Sequence, residues 1–90
     1  MRRLLTALSG ALVLMACGEG APHQYPASAQ AQFNATCPAS DPVCVCTWDK
    51  ITREMTYEEY QEAVTRFRRQ GLMDHHITHA RTVCVEHARS

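Results

Sequence analysis

The sequence predicts a small all-α module of three helices stapled by two disulfides and preceded by a flexible linker. Three observations carry this. Residues 37–90 hold three capped segments whose apolar residues recur at helical spacing. Five cysteines in 90 residues is dense for so short a chain. About 54 folded residues bury too little apolar surface to be stable without cross-links.

The chain opens on a cationic start, Met1-Arg2-Arg3. An uncharged run rich in Leu, Ala, Val and Met follows, from Leu4 to Ala16. This is the pattern of a secretory signal peptide. The run is shorter than the ~20 residues a spanning helix needs. Leu14-Met15-Ala16-Cys17 resembles the lipobox of bacterial lipoproteins, with Met15 a departure from the small residue usual there. The resemblance implies cleavage before Cys17, lipid on its sulfur and acylation of the new amino terminus. Gly18 in place of Asp then implies passage to the outer membrane. Two or three acyl chains give stable anchoring where one is marginal.

Residues 17–36 read as a lipidated, flexible tether. They are rich in Ala, Gly, Pro, Gln and Ser, and Glu19 is their one charge. His23 and Tyr25 read as solvated. Asn34-Ala35-Thr36 fits a glycosylation sequon that a bacterial lipoprotein does not use.

The first predicted helix spans about 42–55. Asp41 caps it and Pro42 fits its first position. Cys44, Trp48, Ile51 and Met55 share one face. The second spans about 57–70. Thr56 and Glu59 form a capping box, Tyr57, Tyr60, Val64 and Phe67 form the apolar stripe, and Gly71 suits the left-handed stop. Glu62 and Arg66 stand at i, i+4. Arg66, Arg68 and Arg69 suit the negative end of the helix dipole, as a solvated face. The third helix spans about 75–88. Asp74 caps it, and Ile77, Ala80, Cys84 and Ala88 share a face.

With Cys17 assigned to lipid, Cys37, Cys44, Cys46 and Cys84 remain. An even number in an exported protein reads as two disulfides. Cys44 and Cys46 point about 200° apart on a helix, so each needs its own partner. Cys44 lies on the core stripe, as does Cys84. The preferred pairing is therefore Cys44–Cys84 with Cys37–Cys46. The swapped pairing, Cys37–Cys44 with Cys46–Cys84, is the rival. A thiol-redox role for Cys44 and Cys46 lacks any thioredoxin-like setting.

His75, His76 and His79 form the most distinctive polar cluster, with i, i+3 and i, i+4 spacings able to grip Zn, Cu or Ni. The glutamate of a metalloprotease helix is missing, so no catalytic zinc is expected. A solvated polar face is the plainer reading. No nucleophile–base motif, phosphate loop or carboxylate pair appears, and no enzyme is expected. Nine Lys+Arg balance nine Asp+Glu. Losing Arg2 and Arg3 leaves the processed chain at −2, which argues against a nucleic-acid partner.

CVCTWDKITREMTYEEYQEAV is similar to small exported lipoproteins of alphaproteobacterial type. The likeness spans about 37–84 and implies fold and compartment, without an activity. The expectation is a lipid-anchored cell-envelope module on the periplasmic side of the outer membrane. It would bind or brace an envelope protein, with the membrane as its other partner. A metal-binding lipoprotein and an accessory exclusion lipoprotein of a conjugation or secretion system are the alternatives.

Overall fold

The computed structural model describes residues 21–90, and the predicted signal peptide and Cys17 lie outside them. The described residues form four α-helices and no strand: α1 (Ala27–Thr36), α2 (Pro42–Glu54), α3 (Tyr57–Gln70) and α4 (His75–Arg89). The all-α, doubly stapled architecture is as expected.

The helix starts follow the local chemistry read from the sequence. The Asp41 carboxylate accepts from the Val43 N–H at 2.9 Å, with Pro42 in the first position. At α3 the box is reciprocal. The Glu59 N–H donates to Thr56 Oγ1 at 3.2 Å, and the Thr56 N–H donates to Glu59 Oε1 at 2.8 Å. Gly71 ends α3 in the left-handed region at φ 74°, which favours glycine because it has no Cβ. Asp74 accepts from the His76 N–H at 2.8 Å to start α4.

One segment departs from the reading. Within the expected tether, residues 27–36 are helical. Ala and Gln favour helix, but the segment has almost no apolar stripe, so no period marks it. Only Ala29 is buried, with Phe33 one turn on half-buried. Tyr25 is not a solvated tether residue either. Its hydroxyl donates to the Met55 and Thr56 carbonyls at 2.8 and 3.2 Å, and the His23 N–H donates to the Thr52 carbonyl at 2.7 Å. The chain before α1 is thus pinned across the junction of α2 and α3.

The core is built around Ile51, Met55, Ala63 and Ala80. Tyr25, Phe33, Trp48, Tyr60 and Ile77 wall it. Trp48, like Tyr25, meets three other rings of the aromatic set. Its ring lies 4.9 Å from Phe33, 5.2 Å from Tyr25 and 5.6 Å from Tyr60. Centroid separations in this range favour aromatic pairs by roughly 0.5–1.5 kcal/mol beyond burial. Helix α2 is the centre of the fold, packing α4 on one side and α1 on another. Of α4's expected stripe, Ala80 and Cys84 are buried and Ile77 is half-buried, while Ala88 is exposed at the free end of the helix.

The disulfides join Cys37 to Cys44 and Cys46 to Cys84. The expected pairing, Cys44–Cys84 with Cys37–Cys46, does not form, and its rival does. The reason is the unanticipated α1. Trp48, one turn beyond Cys44, packs on Phe33 of α1, so this side of α2 belongs to α1. Cys37 closes the end of α1 and meets Cys44 there. Cys46, on the opposite side, is left for α4 and reaches the buried Cys84. A second correction concerns Arg66. Its guanidinium pairs with Asp74 at 2.8 Å, across the α3–α4 turn, instead of with Glu62.

Candidate binding groove

Residues of α1 and α3 line an open groove of about 480 Å³. Only Ala63 of α3 is fully buried, so the larger residues of that helix line the groove or face solvent. Phe33 and Ala29 face the groove from α1. Tyr60, Val64 and Phe67 face it from α3, and Ile51 lies beneath. Met73 and Ile77 bound one end. Phe67 and Met73 are 43% and 45% exposed, and Leu72 beside them is 67% exposed. These are large apolar groups to leave in water, so the end of the groove at the α3–α4 turn is the most apolar exposed part of the module.

Among the described residues, Arg68 is the only Lys, Arg, His, Asp or Glu in the wall of the groove. Among the described residues it has no carboxylate partner. Burial pushes the Tyr60 phenol up, and the Arg68 charge acts in the opposite direction. Among the described residues the groove therefore combines one cation with an aromatic and aliphatic lining. Gln32, Gln61, Thr36 and Thr65 supply neutral hydrogen-bonding groups along its edges.

The other sequence candidates fall as follows. Cys44 and Cys46 each pair elsewhere, so they do not form a dithiol couple. His75, His76 and His79 are exposed on α4. The donor atoms that lie together are those of Asp74, His75 and His76, within 4.8 Å of one another; His79 does not join them. The His75 and His76 rings stack at 4.1 Å. The Asp74 oxygens are already engaged. Oδ1 faces the His76 N–H and ring Nδ1 at 2.8 and 3.2 Å, and Oδ2 takes the Arg66 guanidinium at 2.8 Å. A cation there would displace Arg66 and sit at the positive end of a helix dipole. Desolvation pushes the Asp74 carboxyl up, but the His76 hydrogen bonds and the nearby imidazoles outweigh it and hold the group below its ordinary value. This cluster is a helix start with a cross-turn ion pair.

Sequence reasoning identified Tyr60, Val64 and Phe67 as a stripe and Arg68 as a solvated cation, and it missed the groove. The missing half was α1, whose inward Ala29 and Phe33 are a single i, i+4 pair in a polar segment. No described helix is long and apolar enough to cross a membrane. Comparison with known families, curated proteins and solved structures finds no match to this chain.

Proposed function

We propose that this chain is a small lipid-anchored lipoprotein of the bacterial cell envelope that works by binding. It sits on the periplasmic side of the outer membrane and presents the α1–α3 groove. One observation carries the reading. Four of the five cysteines are consumed within the helical module, and the fifth, Cys17, is the cysteine of the lipobox-like Leu14-Met15-Ala16-Cys17. Paired cysteines suit an exported chain. A thiol outside those pairs, placed at the end of a 13-residue apolar run, suits lipidation. The groove supports binding over catalysis. Its wall holds an aromatic and aliphatic surface with one cation and no acid–base couple.

The test is Cys17→Ala in the native host, followed by fractionation and metabolic labelling with a radioactive fatty acid. The expected result is loss of label, an uncleaved precursor and loss of the outer-membrane pool. Unchanged processing and unchanged membrane retention would overturn the anchor.

A further inference from the structure

The groove's lining and its charge point to the chemistry of an occupant. A single alkyl chain fits an open apolar groove of about 480 Å³. The volume also lies in the range of small-ligand sites, about 300–1,000 Å³. Phe33, Val64 and Phe67 offer apolar contact along the groove. Among the described residues Arg68 is the one charged group lining the groove, and its guanidinium has no carboxylate partner there. A planar fork of donors matches a carboxylate.

We propose that the α1–α3 groove binds a free fatty acid, its alkyl chain lying over Phe33, Val64 and Phe67 and its carboxylate on Arg68. The inference rests on the binding role proposed above and names its ligand class. An acyl chain donated by the protein's own lipid would lack the carboxylate, because that carbon is already esterified or amidated. Dependence on Arg68 therefore separates the two sources.

The probe is dodecanoate carrying ¹³C at its carboxyl, titrated into the full chain held in zwitterionic nanodiscs, with empty nanodiscs as the blank. The expected result is a carboxyl resonance absent from the blank that saturates at one per chain. Arg68→Gln should raise its dissociation constant about tenfold. Val64→Glu, which puts a carboxylate on the groove wall, should abolish it. Far-UV circular dichroism and the absence of free thiols show that each variant is folded. No saturable resonance, or one that Arg68→Gln leaves unchanged, overturns the inference. A chain that is lipidated on Cys17 yet gives no resonance overturns the ligand and leaves the anchor. A chain that gives the resonance without lipid overturns the anchor and leaves the ligand.

Discussion

Tyr25 fastens the chain before α1 to the junction of α2 and α3 through one hydroxyl and three aromatic neighbours, Trp48, Tyr57 and Tyr60. Tyr25→Phe keeps the ring and removes the hydroxyl. It should lower stability by about 1 kcal/mol, the usual net worth of one such bond, read from urea unfolding. Burial, then the charges of Tyr60, Glu59 and Glu58, push the Tyr25 phenol up from 10.0 to about 12. The folded state holds this proton more tightly than the unfolded chain. Its contribution is complete below pH 10 and is lost as pH rises through about 12. Ultraviolet titration of the phenolates should show a late-ionising component that Tyr25→Phe reduces, with Tyr60, also raised by burial, supplying the remainder. Asp74 has the opposite sign. Its carboxyl is held below 3.8, so its contribution is present above that value and lost as pH falls through the lower, folded one. Asp74→Ala removes a cap and the partner of Arg66, and should cost about 1–2 kcal/mol near neutrality. The gap from the parent should close in acid. Asp74 as a cap was legible in the sequence, because a cap acts over two or three residues. The role of Tyr25 was not, because its hydrogen-bond partners lie 30 and 31 residues away.

At the scale of elements, α2, α3 and α4 were legible because each announces its start in side chains and its buried face in spacing. The α3 signals are the fullest, with a capping box at one end and a left-handed glycine at the other. Helix α1 announces neither. Pro26 stands at its start with no side-chain cap, and its sequence, ASAQAQFNAT, buries a single residue outright. Its place is set by what it covers, chiefly Trp48, and tertiary packing outweighs local pattern there. Phe33 is the test of that claim. Phe33→Ala strips the 4.9 Å contact with Trp48 and half-exposes the face of α2 beneath. It should cost about 2 kcal/mol, less than a fully buried Phe because Phe33 is only half-buried. It should also raise amide exchange across α1 more than across α4. Equal effects on both helices would mean that α1 is not held by this contact.

For the whole molecule, the two disulfides divide the work unequally. Cys46–Cys84 closes 38 residues and ties α2 to α4, while Cys37–Cys44 closes seven and fixes the end of α1. Loop-closure entropy gives about 4 kcal/mol for the first and about 2 kcal/mol for the second. Replacing Cys46 and Cys84 together by Ser should therefore unfold the module at a much lower urea concentration than replacing Cys37 and Cys44. The number of bridges was legible from the even count. The pairing was not, because it depends on which helix lies on each side of α2, and α1 carried no signal. The binding groove was hidden for the same reason, since α1 supplies one of its walls.

Lipid on one cysteine and disulfides on the other four is the claim on which the envelope role rests. It is tested most directly by the intact mass of the protein extracted from its host's membranes without reductant. The expected species lacks residues 1–16, carries an acylated Cys17 and weighs four hydrogens less than its reduced form. An unmodified Cys17, or free thiols among Cys37, Cys44, Cys46 and Cys84, would contradict it.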